Sequence, residues 1–499
     1  MNVDTFARSD TRVPALREFE DLPGPRPWPF FGNSLQLRPA RFHLQLEQWC
    51  REFGPFFKIT LGQRRIVVLG DHVLAAQIMR DRPDGFRRPA RLEQIWLEMG
   101  MAQGVFGAHG EVWARQRRMV MAAFDPGHVK RYFPSLQTVA SRLAGRWAKA
   151  ARAGAAIPLQ ADLMRYTVDT IAGLAFGAEV NTLESDEDIL QRHLDKIFPA
   201  LFKRILAPLP TWRWVRLPSD RALERSVVEV TAAVSSFITQ ARTRLAADPE
   251  LRAHPRNLLE AMIVAADEPG SGIDDAQVTG NVLTMLLAGE DTTANTLAWM
   301  IHLLWRNPRA LQLATDEVRR VVGDGAELTL EQMAQLDYLE ACAHETMRLK
   351  PVAPFLPLQA LRDTVVGDVL IRTGTGVHAL LRRDSVSDEH VPRAASFEPE
   401  RWLASGVPGA TAASATSAAS ATSATSATSA KRISMPFGAG PRICPGRYLA
   451  LLEMKMAMAT LLSRFDIVSV DAPGGGEAME RQAFTMTPVG LSLRLRVRV

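Results

Sequence analysis

Cys444 is the residue whose sequence surroundings point most directly to chemistry. It lies in the run Pro-Phe-Gly-Ala-Gly-Pro-Arg-Ile-Cys-Pro-Gly at 436–446, and a helical pattern follows from Arg447. Glycine allows the backbone to approach other groups closely. Neighbouring donors, positive charge and a helix N-terminus help to keep a thiol ionised. The pattern therefore predicts a thiolate that serves as a nucleophile, a metal ligand or a haem ligand.

The spacing of this loop is Phe-x-x-Gly-x-Arg-x-Cys-x-Gly, met by Phe437, Gly440, Arg442, Cys444 and Gly446. It resembles the haem-binding loop of the cytochrome P-450 family. The resemblance implies haem b as the cofactor, with Cys444 as the thiolate ligand of its iron. It also implies that Arg442 pairs with a haem propionate and that Phe437 packs beside the sulfur. The alternative is a glycine-rich surface loop around a buried structural cysteine.

Trp113 and Arg117 begin another pattern that bears on the cofactor. They are four residues apart at the start of a predicted helix, so they share one helical face. The family uses such a pair to hydrogen-bond the haem propionates, which makes both residues candidates. The alternative is a core tryptophan beside a solvated arginine.

Residues 275–306 form a continuous helical pattern, with Asp274 or Asp275 as the candidate cap and Asn307-Pro308 after its end. In the middle, residues 288–293 read Ala-Gly-Glu-Asp-Thr-Thr. Glycine and β-branched residues are poor helix formers. Local rules broken inside an otherwise consistent helix indicate function.

This segment resembles the central helix of the same family. The resemblance implies that Gly289 lets O2 approach the helix backbone and that Thr292 holds a hydroxyl beside the O2 site. It also implies that Asp291 links this site to solvent protons. The alternative is a threonine bonded to the carbonyl one turn earlier, next to a surface aspartate.

Glu345 and Arg348 share a face of a predicted helix over 331–349, and Arg401 follows in the run Phe-Glu-Pro-Glu-Arg-Trp. An isolated Glu–Arg pair contributes little. Together the segments match the buried Glu–Arg–Arg network of the family. The resemblance implies that Glu345, Arg348 and Arg401 lock the segment that leads into the cysteine loop.

The substrate pocket is the least defined part of the sequence. By order along the chain, its candidate residues are Phe106, Ala288, Thr296, Leu356 and Met486. Such a mostly apolar set suits a fatty acyl, terpenoid, steroid or aromatic compound. The stretch between Arg348 and Arg401 is similar to bacterial fatty-acid hydroxylases, which favours a lipid-like substrate.

The resemblance covers residues 20–499. It implies one mainly α domain at 22–499 with a smaller β-rich lobe, and haem between the long central helix and the cysteine loop. Residues 1–21 are expected to be a flexible N-terminus. Residues 404–430 carry no charge and end in repeated Ala-Thr-Ser, which predicts a disordered insert. The local patterns predict a helix at 39–53, strands at 56–61 and 65–69, and an aperiodic loop at 85–110.

Composition excludes several other classes of protein. The chain of 499 residues is 47% hydrophobic and 23% charged, which is typical of a globular protein. Three scattered cysteines favour neither a disulfide framework nor a zinc site. A net charge of +5 without a long basic run does not indicate nucleic acid. Because no apolar run of about 20 residues is present, we expect a monomeric cytoplasmic protein without a transmembrane anchor.

The function implied by the resemblance is O2-dependent monooxygenation of a small apolar substrate. Reducing equivalents would come from NAD(P)H through a separate ferredoxin or flavodoxin and its reductase. Two alternatives stay open. One is a haem-thiolate peroxygenase, isomerase or dehydratase, although such relatives often lack the acid–alcohol pair that Asp291 and Thr292 provide. The other is a haem sensor without turnover, which would need an output domain.

Overall fold

The structure, a computed structural model, describes residues 16–177, 181–184, 189–323, 328–403 and 430–498. Helices dominate these residues, and the predicted mainly α class is confirmed. In chain order they are α1 Phe42–Phe53, α2 His72–Arg80, α3 Ala90–Glu98, α4 Gly110–Ala123, α5 Pro126–Arg131, α6 Phe133–Arg152, α7 Leu159–Phe176, α8 Ile189–Leu206, α9 Pro218–Ala247, α10 Pro249–Ala253, α11 Leu258–Asp267, α12 Asp275–Arg306, α13 Pro308–Val322, α14 Leu330–Ala334, α15 Asp337–Leu349 and α16 Arg447–Arg464.

The strands are short and form four small sheets. In chain order they are β1 Phe56–Leu61, β2 Arg64–Leu69, β3 Phe86–Arg87, β4 Ile157–Pro158, β5 Phe355–Ala360, β6 Thr364–Val366, β7 Val369–Ile371, β8 Gly376–Leu380, β9 Phe465–Asp471, β10 Glu480–Gln482, β11 Met486–Pro488 and β12 Ser492–Val497. The largest sheet has the order β1-β2-β8-β5-β3, and β1 pairs with β2 in an antiparallel register. The predicted hairpin over 56–69 is therefore confirmed.

Helix α12 is the longest helix among the described residues and has the predicted bounds. The side chain of Asp274 accepts from the backbone N–H of Gln277, and the side chain of Gln277 accepts in return from Asp274. This capping box satisfies donors that a helix start leaves unpaired. With 32 residues the helix spans about 48 Å. Most of its side chains are buried, so it runs through the core and packs extensively on α7.

Two predictions of local structure were wrong. The predicted single helix over 331–349 is two helices, α14 and α15, because the carboxylate of Glu317 accepts from the backbone N–H groups of Tyr338 and Leu339 and so caps a second start. The segment 85–110 is not wholly aperiodic. It contains α3, whose buried Leu92, Ile95 and Trp96 have helical spacing.

Some predictions fall outside what can be tested. Residues 1–15 and 404–429 lie outside the described residues, so the expectations of a flexible N-terminus and a disordered insert stay predictions. Among the described helices, none is long and apolar enough to cross a membrane.

Candidate functional site

The Cys444 thiol lies in a setting of donors and positive charge. Its backbone N–H donates to the carbonyl of Phe437 at 2.9 Å, which closes the loop on itself. Burial raises the pKa of the thiol, while the backbone N–H of Gly446 and the guanidinium groups of Arg117 and Arg447 act in the opposite direction. A bound metal ion deprotonates a coordinating thiol outright. The setting therefore suits a thiolate that gains a cation as its partner.

The surrounding protein requires glycine at position 440 but not at position 446. Gly440 has φ +72°, and a side chain there would lie 2.7 Å from the backbone of Arg80 on α2. Only glycine fits such a position without strain. A Cβ at Gly446 would meet the ring of Phe124 at an ordinary 3.6 Å, so the protein chain alone does not require glycine there.

Three arginines, of which Arg82 is buried and Arg88 and Arg442 are half-buried, gather beside this loop without an acidic partner. Arg82, Arg88 and Arg442 form no ion pair with any carboxylate in the described parts of the chain. Burial, together with the charges of Arg82 and Arg442, lowers the pKa of Arg88 well below its usual value. The pKa of Arg442 is lowered to about 9 by burial and by Arg82, Arg117 and Arg87. Because a guanidinium stays charged in proteins, the cluster lacks an anion.

The unpaired donors of this arginine cluster show whether the residues present could hold haem. The Nε atom of Arg442 and the Nε and Nη2 atoms of Arg82 are buried and without a hydrogen-bond partner. Orphaned buried donors are costly, so a ligand that accepts from them is expected. The two propionates of haem supply two carboxylates, and a planar guanidinium fork suits them. The residues present therefore fit haem.

Trp113 and Arg117 lie near this cluster. Arg117 also hydrogen-bonds the backbone of the cysteine loop. The guanidinium of Arg442 stacks 4.6 Å from the ring centroid of Trp113, and its Nη2 donates to the carbonyl of Ala108 at 2.6 Å. Arg117 donates from Nη2 to the carbonyl of Ile443 at 2.7 Å. Arg117 thus supports the backbone beside Cys444, and its direct bond to a propionate stays a prediction.

A stripe on α12 has open space beside it. Thr284 and Thr292 are half-buried and Ala288 is exposed, although most neighbouring side chains on the helix are buried. These residues are four apart and so share one face. A gap along the middle of a core helix is consistent with a site for a large flat ligand and a substrate.

The acid–alcohol pair is present, and each member already has a partner. The Thr292 hydroxyl donates to the carbonyl of Ala288 at 2.7 Å, which is the back-bonded state considered above. Asp291 accepts from Asn295 Nδ2 at 2.6 Å and from the hydroxyl of Thr485. Burial raises the pKa of Asp291, while these two donors lower it. Asp291 is therefore not a free surface carboxylate, and its link runs to the β10–β11 turn.

Gly289 has a packing reason that sequence reasoning missed. A Cβ at this position would lie 2.6 Å from Cδ1 of Ile171 on α7. The glycine therefore lets α12 and α7 approach closely. The sequence interpretation assigned Gly289 to O2 access alone, but the position where its side chain would be faces a neighbouring helix. Access of O2 to the backbone here stays a prediction.

Glu345, Arg348 and Arg401 meet in the interior. Arg348 donates from Nε and Nη2 to the two carboxylate oxygens of Glu345 at 2.8 and 2.7 Å. Arg401 Nε lies 3.4 Å from the same carboxylate, and Trp402 Nε1 donates to it at 2.9 Å. Arg348 also donates to the carbonyls of Ala394 and Ser396, on the segment before the cysteine loop. The network thus joins α15 to that segment.

Loss of charge at Glu345 should destabilise the fold. Glu345→Gln leaves the buried guanidinium of Arg348 without its carboxylate, whereas Arg401 keeps an ion pair with Glu398 at 2.7 Å. Breaking a buried ion pair costs about 3–5 kcal/mol. We expect a decrease of that size in the free energy of unfolding, measured by urea denaturation.

A matched control is available for this substitution. Glu250→Gln removes the same charge from an exposed residue whose one ion pair within the described part of the chain is with His254, at 3.6 Å. Its effect should stay within about 0.5 kcal/mol. A loss below about 1 kcal/mol for Glu345→Gln would contradict the assigned role of the network.

The pocket candidates divide into those near the open space and those in the core. The ring of Phe106 lies 6.1 Å from that of Phe484, which in turn stacks 4.5 Å from Phe198. Met486 is fully buried in the main hydrophobic core, and its contact with substrate stays a prediction. Phe484, two residues earlier, lies at the tip of the β10–β11 turn with φ +98°.

For Thr296 and Leu356, the remaining pocket candidates, the structure shows contacts with protein groups. Thr296 is buried, and its hydroxyl donates to the carbonyl of Thr292 at 2.8 Å. Leu356 is half-buried on β5 and packs against the core of the β-rich lobe. Their contact with substrate stays a prediction.

Sequence reasoning missed three residues of this site. Arg82 and Arg88 complete the arginine cluster, and Phe484 joins Phe106 and Phe198. The adjacent arginines at 87 and 88, in a segment with few acidic residues, were a weak signal for the cluster. Nothing local marks Phe484, because its importance depends on helices far away in the chain.

Comparisons with known proteins agree with this geometry. The sequence profile of the family described as Cytochrome P450 matches residues 22–495. The chain is 28% identical over 490 residues to the self-sufficient cytochrome P450 monooxygenase CYP505E4 of Penicillium camemberti, which covers 97% of the chain and 44% of that relative. It is 25% identical over 480 residues to the protein Lutein Deficient 5, chloroplastic, of Arabidopsis thaliana, covering 94% of the chain and 76% of that relative.

A solved structure shows the same fold. The crystal structure of the cytochrome P450DA heme domain superposes with a TM-score of 0.79 at 24% identity, covering 97% of this chain and 99% of that one. The chain spans less than half the length of the Penicillium relative. Since the family profile accounts for nearly the whole chain, the chain belongs to the cytochrome P450 family.

Proposed function

We propose that this protein is a monooxygenase that inserts one atom of O2 into a small apolar substrate. Haem bound through a cysteine thiolate is the cofactor of the family, and it supplies O2 binding and the oxidising chemistry. The observation that supports the proposal most is the pairing of a donor-rich cysteine loop with an Asp–Thr pair on α12. Cys444 is assigned as the iron ligand.

The arginine cluster is assigned to the propionates. Arg442 and Arg82, whose buried donors have no partner, would hold the two carboxylates together with Arg88, and the ring of Trp113 packs against the guanidinium of Arg442. Arg117 orients the loop through the carbonyl of Ile443. These positive charges would hold the cofactor beside Cys444.

Thr292 and Asp291 are assigned to proton delivery. The Thr292 hydroxyl donates to the carbonyl of Ala288, which leaves its oxygen lone pairs able to accept a hydrogen bond from the reacting side. Because its pKa is raised by burial, the carboxyl group of Asp291 takes up a proton closer to neutral pH than an exposed aspartate does. Thr485 holds this carboxylate at the β10–β11 turn.

The same turn is assigned to substrate. Phe484 projects from it to the rings of Phe106 and Phe198, and these three aromatic groups offer an apolar surface that excludes water. Such a wall suits a lipid-like compound better than a charged one. Proton delivery and substrate contact therefore meet in the turn at 483–485.

Electrons are proposed to come from NAD(P)H through a ferredoxin or flavodoxin and its reductase. The Penicillium relatives are named self-sufficient, and the chain matches only part of their length. Reduction by added partners therefore has to be measured directly.

The proposal is tested with isotopically labelled oxygen. The haem-loaded chain is first screened against a lipid and terpenoid library for a substrate-induced change in iron spin state. A responding compound is then incubated under ¹⁸O2 with NAD(P)H, a ferredoxin or flavodoxin, and a reductase. We expect product that carries one ¹⁸O atom, and no product without O2.

Other outcomes identify the alternatives. Product formed without O2 and without reductant would indicate an isomerase or dehydratase. Product formed with added hydrogen peroxide but never with O2 and reductant would indicate a peroxygenase. Either result overturns the monooxygenase assignment.

A further inference from the structure

A polar pocket of about 280 Å³ opens on the outer side of α7, between the α5–α6 junction, α9 and the start of α11. This volume is at the low end of the range for small-molecule sites, about 300–1,000 Å³. The residues that matter here carry charge or hydrogen-bonding groups: Arg131, Tyr132, Arg244, Arg256, Asn257 and Glu260. All but Glu260 can donate hydrogen bonds.

The pocket is separate from the haem region. Ile171 on α7 faces Gly289 of α12, whereas Gly173 and Gly177 line the pocket. At about 100° per residue, Gly173 points roughly 160° away from Ile171 around the helix. An occupant of the pocket would therefore contact the side of α7 opposite to α12.

Glu260 forms the acidic base of the pocket, and its carboxylate is already used. The side chain is 2% exposed. One oxygen accepts from Arg244 Nε at 3.1 Å, and the other accepts from the backbone N–H of Arg256 at 3.0 Å. Glu260 thus neutralises Arg244 and fixes its orientation, and it has little capacity left for a cation.

Two further arginines add positive charge that is not balanced. Arg131 forms no ion pair with any residue that the structure describes. Arg256 approaches a single carboxylate, that of Asp248, at 4.0 Å. Three arginines and one carboxylate, that of Glu260, line the pocket. Even when Asp248 outside the pocket is counted against Arg256, one positive charge is left unbalanced. The balance favours an anion, and burial raises the pKa of Tyr132 so that its phenol stays neutral.

Asn257 is the second observation that points to a ligand. It is 5% exposed, and its Oδ1 accepts from the backbone N–H of Glu260 at 2.9 Å as the cap of α11. Its Nδ2 makes no hydrogen bond with the described residues and lies next to Gly177, where a Cβ would be 2.7 Å away. Asn257 therefore offers an unused donor on a side chain that is more than nine-tenths buried, at a helix N-terminus where the dipole favours anions, and this suits an oxyanion.

We propose that this pocket binds a small, multiply charged oxyanion, of the phosphate or polycarboxylate type. Arg131 and Arg256 contact it at the mouth, Asn257 Nδ2 donates to it from the base, and Glu260 holds Arg244 beside it. Guanidinium forks match both phosphate and carboxylate oxygens, so the two sources share one recognition chemistry.

Isothermal titration of the haem-loaded full chain tests this proposal, with pyrophosphate and citrate as separate probes at constant ionic strength. We expect saturable binding of one anion per chain by at least one probe. The probe that binds more tightly identifies the phosphate or carboxylate source. Asn257→Asp keeps the helix cap, because aspartate is an equally good cap, but it replaces the donor by a negative charge. It should weaken binding by roughly 10-fold or more.

A double variant and a control complete the design. Arg131→Ala with Arg256→Ala should weaken binding by about 10-fold or more through loss of two exposed charges, which folding does not need. Arg225→Ala removes an exposed charge from α9 outside the pocket and should change affinity less than about two-fold. Absence of saturable binding by both probes overturns the proposal, and so does unchanged affinity in the Asn257→Asp or double-arginine variants.

Discussion

Alanine at position 444 is expected to abolish the red-shifted carbon monoxide spectrum that thiolate-ligated, reduced haem gives. The reason is local. Cys444 combines a half-buried thiol with the N–H of Gly446 and the guanidinium groups of Arg117 and Arg447. Alanine offers no ligand atom, so haem held only by the arginine cluster would lack its axial sulfur. Haem content should also fall, measured as the ratio of haem to protein after gel filtration.

The other two cysteines are matched controls. Cys50 and Cys342 are 1% and 0% exposed, so neither thiol is open to a cofactor, whereas Cys444 is half-buried. Cys50→Ala and Cys342→Ala should therefore keep the carbon monoxide spectrum. If Cys444→Ala keeps the same spectrum, Cys444 is not the iron ligand.

The parts of the fold that the sequence predicted best carry their signals locally. Helix α12 has a capping box at Asp274 and Gln277 and a proline after its end, and its bounds agree with the prediction. The β1–β2 hairpin turns at Gly62, whose φ is +61°. By contrast, the division between α14 and α15 depends on Glu317, which belongs to another helix. A window of sequence around the break contains no sign of that cap.

The site residues also fall into those that local sequence indicates and those that depend on contacts between distant elements. The spacing of Glu345 and Arg348 within one helix turn is visible in the sequence, and Arg401 was found only through the resemblance, since it lies far along the chain. The structure then brings Arg401 Nε to 3.4 Å from Glu345. Phe484 and Arg82 could not be found, because their roles arise from contacts between elements. Met486 was chosen for its order in the chain, and it lies two residues after the turn tip at Phe484, on the core-facing strand.

Thr292→Ala is expected to uncouple electron use from product formation. Positioned proton donors and acceptors contribute about 10²–10⁴-fold to proton-transfer steps, and Thr292 offers a hydroxyl next in sequence to the half-buried Asp291. Its back-bond to the carbonyl of Ala288 fixes the direction of the oxygen lone pairs. Binding of haem and substrate should be retained, because neither depends on this hydroxyl.

The measured quantities are NAD(P)H consumed, hydrogen peroxide released and hydroxylated product formed, with a working redox partner. We expect the ratio of product to NAD(P)H to fall by about 10-fold, with a matching rise in peroxide. Asp291→Asn should slow O2 consumption more than it changes substrate affinity, since an amide cannot take up the proton that the raised pKa of Asp291 makes accessible.

Thr279→Ala is the matched control for this prediction. Its hydroxyl makes the same bond, to the carbonyl of Asp275 at 2.8 Å, on an exposed turn near the start of the same helix. Its coupling ratio should equal that of the parent, which separates the effect of the hydroxyl at 292 from loss of a helical back-bond. If Thr292→Ala couples electrons to product as well as Thr279→Ala does, the acid–alcohol assignment is wrong. A chemistry that needs no proton delivery at α12, such as isomerisation or peroxide use, then becomes the better account of the site.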